Sequence, residues 1–464
     1  MNPRRTISVL LAVSAAAALV RGGSGCSSEP DATATDGGLD APVADVRVDR
    51  TQPEVDATHA SPFEGWDHYA DYDPFCEFYV PHAHENLPAP IRWEACRANA
   101  ETSTKTCRQM VLDWEPARFV QELISPGTRG LRRPDGRVLL MTARYQSEGT
   151  FRLVADVDGP VLVAIREQRP ERCVLNSELS DGDHYAFRVL DSEAKGTVSE
   201  YGGGALGGRL DELRPTVLRH YHDSFTRGFI AGDPGLLEVS GGLMSLLSWK
   251  DGSLVKDIWS SSQDNGLAQN YQFFHGQTLF WASDDDAVNK QKVYTATAGV
   301  KDFISFGDEF TKGIADLGTD GQQLVWIEGY NRPEPSGVYP EITAYAAPFT
   351  TDPMQIVKRA LRSDLSGYPF GTSPFIVGCG YAARATEMKR DGGFENGTLL
   401  IRLADGYAWH LHDEPGADWG WRTPLAITCD EIFVKVAERP TPAASPRFNV
   451  VRVRIDSLGT PTAP

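Results

Sequence analysis

The chain has 464 residues, with 63 acidic side chains against 45 Lys and Arg, and a formal net charge of -18. That balance, with no cluster of Lys and Arg anywhere along it, argues against nucleic acid as a partner, because attraction to phosphate needs a concentrated positive surface. After the N-terminal 26 residues no segment approaches the roughly 20 apolar residues of a membrane-spanning helix, which leaves a lipid as the only anchor.

Taken in chain order, Arg4 and Arg5 precede an apolar run at 7–20 of the length expected for a secretory signal and too short for a stable span. Gly23-Ser24-Gly25-Cys26-Ser27 follows. It resembles the lipobox of bacterial lipoproteins, which implies cleavage before Cys26, lipidation of Cys26 and, from Ser27, sorting to the outer membrane. The alternative is an ordinary secretory signal cut near the alanines, giving a periplasmic or secreted soluble protein. Residues 27–62 have no aromatic side chain and an acidic excess. They cannot bury enough apolar surface to offset chain entropy and read as a disordered tether. All ten tryptophans lie in 63–464, the expected folded domain.

Of the seven cysteines, assigning Cys26 to a lipid leaves Cys76, Cys96, Cys107, Cys173, Cys379 and Cys429, an even set suited to three disulfides in an oxidising compartment. Many connectivities are open. The favoured set is Cys96–Cys107 closing a short loop, Cys379–Cys429 joining equivalent places in successive repeats, and Cys76–Cys173 remaining. Zinc ligation is the alternative, although no C-x-x-C pair suggests it.

From residue 63 onward, short runs of Val, Ile, Leu, Phe, Tyr and Trp alternate with Gly, Asp, Asn and Pro turns, and helical periodicity is almost absent. Val138-Leu139-Leu140 follows Asp135-Gly136, Leu279-Phe280-Trp281 follows His275-Gly276, and Leu324-Val325-Trp326 follows Asp320-Gly321. Comparable units begin near Pro374 and Pro424, and 399–411 reads as a hairpin bent at Asp405-Gly406. The spacing of about 45–55 residues is that of four-stranded propeller blades. The Asp-Gly-x-x-apolar segments resemble the inner-strand starts of TolB-like and WD40-like β-propellers. The expected fold is therefore all-β, a propeller of seven blades with six or eight as alternatives, closed by the last strand at 448–455 pairing with N-terminal strands to protect the ring edges. Two β-sandwiches are the competing architecture.

Six of the ten histidines form His-x-His pairs, His82/His84, His220/His222 and His410/His412. On a strand, residues i and i+2 share a face, so a pair can offer two imidazoles to one metal. His220, His222, Asp223, His410 and His412 are the candidate metal ligands, with Asp413 and Glu414 beside the last pair. Otherwise no cofactor is expected, and free use of histidine on exported polar strands is the plainer explanation. The G-x-G-x-x-G at 202–207 lacks the helix of a nucleotide fold and reads as a glycine loop. Asp284-Asp285-Asp286 lacks calcium-loop spacing and reads as a solvated turn. Tyr407, Trp409, Trp419 and Trp421 could form a ligand platform, or be blade core. No hydrolase motif of the G-x-S-x-G or H-E-x-x-H kind occurs. The expected function is an envelope-anchored, non-catalytic binding or scaffold propeller engaging protein, peptide or glycan. The alternative is a secreted propeller hydrolase or lyase, metal-dependent in one version, acting on extracellular polymer.

Overall fold

A computed structural model describes residues 64–73, 76–96, 106–111, 123–124, 128–146, 149–168, 173–191, 203–221, 228–240, 243–260, 273–283, 290–304, 312–330, 342–363, 365, 374–390, 393–412, 419–438 and 447–464. The signal, Cys26 and the tether lie outside this set. The described residues form seven antiparallel sheets and no α-helix.

The sheets are the blades of a seven-bladed β-propeller. Blade 1 spans 123–167, blade 2 173–221, blade 3 228–260, blade 4 273–304, blade 5 312–362, blade 6 376–412 and blade 7 419–454. Within blades 2 to 6 four consecutive strands pair in chain order. Around the axis first strands of neighbouring blades pack on one another, as those of blades 3 and 4, 5 and 6, 6 and 7, and 7 and 1 do. There the spacing is tight. A Cβ on Gly318, in the first strand of blade 5, would stand 2.1 Å from the carbonyl oxygen of Phe375 at blade 6, and one on Gly130 of blade 1 would stand 2.6 Å from that of Leu425 in blade 7.

The core is divided in the same way. Seven hydrophobic clusters correspond one to one with the seven blade–blade interfaces, including the interface of blades 7 and 1, where Val138, Leu140 and Leu153 meet Leu425, Phe433 and Val450. Alternation along a strand sends neighbouring residues to opposite interfaces. Trp281 packs toward blade 3 while Phe280 packs toward blade 5. Such strands must be apolar on both faces, which explains the short unbroken hydrophobic runs in the sequence. Those runs are the second strands, Val138–Gln146, Thr278–Ser283 and Gln323–Tyr330, and not the innermost ones expected from the Asp-Gly signals. The Asp-Gly pairs instead make the turn between first and second strands, with Gly136 at φ 88° and Gly321 at φ 83° and the preceding carboxylate accepting backbone N–H bonds.

Ring closure uses both ends of the chain. The third strand of blade 7, Arg447–Arg454, pairs with Arg108–Val111, through Val451 with Gln109 and Arg452 with Arg108, and Arg92–Ala95 adds a fifth strand. A second N-terminal hairpin, Trp66–His68 with Phe78–Pro81, extends blade 1 outward. Beyond blade 7 the C-terminal tail crosses blade 6, where Thr462 bridges Ala408, and reaches blade 5, where Arg362 donates to the Thr462 carbonyl at 3.1 Å.

Three disulfides form, Cys76–Cys173, Cys96–Cys107 and Cys379–Cys429, the favoured pairing from sequence. The glycine segment is not a loop in its described part. Gly203–Arg209 is the third strand of blade 2, and its glycines let the fourth strand approach, since a Cβ on Gly204 would meet the Arg219 carbonyl oxygen at 2.0 Å.

Candidate functional site

Each blade has turns at two ends. The connections from first to second and from third to fourth strand gather at one end of the ring, and there those of blade 1, with the first turn and the end of the third strand of blade 7, frame a cleft of about 640 Å³. Val138, Val157 and Phe433 contribute apolar lining, and Asp135, Arg137, Asp156, Asp158, Asp430, Glu431 and Arg454 contribute charge. A second cleft of about 220 Å³ lies between blades 6 and 7, lined by Tyr381, Arg402, Trp409, Cys429, Asp430, Arg454, Ile455 and Asp456. Asp430 and Arg454 belong to both, so the two clefts adjoin.

The charged groups are held by local chemistry. Arg137 donates through Nε to Asp135 Oδ2 at 2.9 Å and reaches Asp156 at 3.4 Å. Asp156, nearly buried, accepts the N–H of Asp158 at 3.1 Å and so fixes its own turn. Arg452 crosses from blade 7 to Asp158 of blade 1. In the smaller cleft Arg402 is gripped by Asp405 at 2.7 and 2.9 Å and lies over the rings of Tyr407 and Trp409 at 5.5 and 5.9 Å. The backbone N–H of Arg137, then its guanidinium, holds Asp135 below the usual carboxylate range, and the Arg402 guanidinium does the same to Asp405. These acids stay ionised to lower pH than free carboxylates, keeping their arginines oriented.

Most of the sequence candidates fall elsewhere. His220 is on the outermost strand of blade 2, exposed, with its ring 4.5 Å from that of Tyr72. His410 is half-buried on the outermost strand of blade 6. Non-adjacent blades separate the two, so these imidazoles do not share a metal; this corrects the idea of a joint site. His82 contacts Asp67 at 2.9 Å on the N-terminal hairpin, with His84 in the adjoining 3-10 turn. His412 lies in a strand whose side chain there is not described, and His222, Asp223, 284–286, Asp413 and Glu414 lie outside the described residues. Among the described residues no three His, Cys, Asp or Glu side chains converge in a metal-binding group.

Two of the four aromatic platform candidates are placed, and Trp409 lines the smaller cleft. Trp409 is blade core at the interface of blades 6 and 7, only 8% exposed, and its indole N–H donates to the Gly459 carbonyl at 3.0 Å. Tyr407 is exposed, and Trp419 and Trp421 lie on the first strand of blade 7 with side chains not described. The groups that sequence reading missed, Arg402, Arg454, Asp156, Asp158 and Asp430, sit at turns. The signal that could have found Arg402 and Arg454 is an Arg at a strand end followed two or three residues later by Asp, as in Arg402/Asp405 and Arg454/Asp456.

No known family model matches the chain, and no curated protein matches it. Solved structures do. The chain is similar to a putative TolB from Agrobacterium tumefaciens at 12% identity and TM-score 0.32, over 62% of this chain and 94% of that one. It is similar to the β-propeller domain of the Trilobed protease from Pyrococcus furiosus, described as having an open velcro topology, at 8% identity and TM-score 0.43, over 73% and 96%. It also resembles Porphyromonas gingivalis dipeptidyl peptidase 4 at 11% identity and TM-score 0.39, over 75% of this chain and about half, 55%, of that one. The assignment as a seven-bladed propeller rests on this chain's own strand pairing.

Proposed function

We propose that the protein is an exported, non-catalytic binding propeller, held at the outer membrane by a lipid on Cys26, that engages a protein, peptide or glycan across the turn end of blades 6, 7 and 1. The observation that carries this reading is the pair of adjoining clefts, in which carboxylates and pre-oriented guanidinium groups alternate above an apolar lining. Polar polymers are bound by such surfaces because fixed donors and acceptors set orientation while apolar walls supply contact area. The competing reading, a hydrolase or lyase built on the histidine pairs, is weakened by the separation of His220 from His410.

The test is calorimetric titration of peptide and oligosaccharide panels against the intact protein and against Asp430→Asn/Arg454→Ala, which removes the two charges common to both clefts. Binding should weaken by about tenfold or more, the range for losing a charge-assisted contact, with thermal stability retained. Equal affinity of the variant for every ligand bound by the parent would sink the site. Cleaved ligand in the mixture, seen by mass spectrometry, would favour the enzyme.

A further inference from the structure

The three disulfides differ in access. Cys76 and Cys173 are buried, at 0% and 3% exposed, inside the cluster between blades 1 and 2. Cys107 is 6% exposed and pairs with the half-buried Cys96. Cys429 is exposed, Cys379 is half-buried, and their bridge joins the first turns of blades 6 and 7 where Cys429 forms part of the smaller cleft.

The backbone at Cys379 is unusual in a second, independent way. Gly378 pairs with Tyr381, so Cys379-Gly380 is a two-residue hairpin turn, with φ of 49° and 79°. That turn requires left-handed conformations at both positions, and Asn, Asp or Gly are the residues that adopt them readily. Of the described non-glycine residues only Asp316 shares a positive φ with Cys379. Cysteine is thus placed against local preference, where it can reach a neighbouring blade and where its bond is open to solvent. A turn that would fold as well or better without cysteine has no need of the bridge for its own shape.

We propose that Cys379–Cys429 is a thiol-exchange site, opening into the cleft of blades 6 and 7, that reacts with a vicinal dithiol donor while the other two bridges stay intact. The donor thiolate attacks the Sγ of the exposed, cleft-lining Cys429, the Cys379–Cys429 bond breaks, and Cys379 leaves as a thiolate that takes a proton from water. The donor's second thiol, on losing its proton, attacks the donor sulfur of the mixed disulfide and releases Cys429 as a thiolate. Two electrons pass to the protein, and the donor ends as a disulfide. Reduction unties the 428–430 turn from blade 6, and that turn carries Asp430 of both clefts. The proposal is independent of the binding reading.

Dithiothreitol is the probe. The intact protein is incubated under native conditions, thiols are trapped with iodoacetamide at intervals, and labelled peptides are identified by mass spectrometry. Cys379 and Cys429 should be labelled at least about tenfold faster than Cys76 and Cys173, and faster than Cys96 and Cys107, because exchange rate follows access to sulfur. Labelling of Cys76 and Cys173 at an equal or greater rate would overturn the proposal. In denaturing urea the rates should converge; persistence of the same order there would show intrinsic reactivity at work and overturn the access argument. Cys379→Asn/Cys429→Ser should fold, with a melting temperature lowered as loss of a 50-residue loop closure requires, and lose the fast phase. A fast phase surviving in that variant would also refute it.

Discussion

The half of the ring that contains the chain ends is built differently from the half opposite. Blades 3 and 4 are plain four-stranded sheets with no disulfide among their described residues, and the outer strand of blade 3 leaves Leu254 and Val255 54% and 56% exposed. Blades 6, 7, 1 and 2 carry two added hairpins, the C-terminal tail and all three disulfides. Around the ring, successive blades are joined by the backbone. Blade 7 is joined to blade 1 through its N-terminal strand 108–111, which precedes blade 1 in the chain, so its 419–454 part is held there by strand pairing, by the cluster around Phe433 and Leu140, and by Arg452 bound to Asp158. Reinforcement is concentrated where the ring is closed by strand pairing, and the two clefts lie in the same region.

The sharpest test of that contrast is the Cys76–Cys173 bridge, which closes 97 residues. Restriction of the unfolded chain by a loop of this length is worth about 4–5 kcal/mol. Cys76→Ser/Cys173→Ser should lower unfolding free energy by about that amount in denaturant titration without reductant. A loss below about 1 kcal/mol would break the contrast.

A smaller effect comes from Lys435, in the second strand of blade 7. Burial, and then the nearby Arg129 of blade 1, lower its pKa to about 8 from 10.5. Between those values the unfolded chain binds more protons than the folded one, so stability rises with pH across that window, and the cost of the buried charge is present in full below about pH 8. Lys435→Met should therefore stabilise at neutral pH by on the order of 1–3 kcal/mol. It should also flatten the rise, as read from denaturation midpoints at pH 7 and 10.5. An unchanged slope would acquit this lysine.

On the opposite side, Leu254→Ser/Val255→Ser removes exposed side chains from an edge already irregular, since the outer strand of blade 3 pairs through two register shifts. The expected change in stability is within about 0.5 kcal/mol. A larger loss would mean that blade 3 depends on its rim as the closure region does.

Much of the ring was legible because blades repeat their turn chemistry. Gly276 and Gly321 occupy equivalent turns of blades 4 and 5, and the hairpin bent at Asp405-Gly406 forms the third and fourth strands of blade 6. Closure of the last strand on N-terminal strands was legible from the need to protect sheet edges. The start of blade 7 was misplaced by a few residues because Pro424 looks like a boundary. It instead sits within Trp419–Ile427, beside register shifts that accommodate its missing N–H. The site was hidden for a different reason. Trp409 and the histidines are conspicuous by residue type, whereas Asp430 and Arg454 become neighbours of Arg402 when blade 7 packs on blade 6 and of Arg137 only when it closes on blade 1.

Closure by strand 108–111 against 447–454 also orders events during synthesis. The ribosome delivers Gln109 more than three hundred residues before its partner Val451. Until then the apolar side of blade 1 lacks its partners Leu425, Phe433 and Val450. A nascent chain of six finished blades is consequently an open arc with a sticky flank at its leading end, the form most in need of a chaperone and most exposed to pairing with another chain.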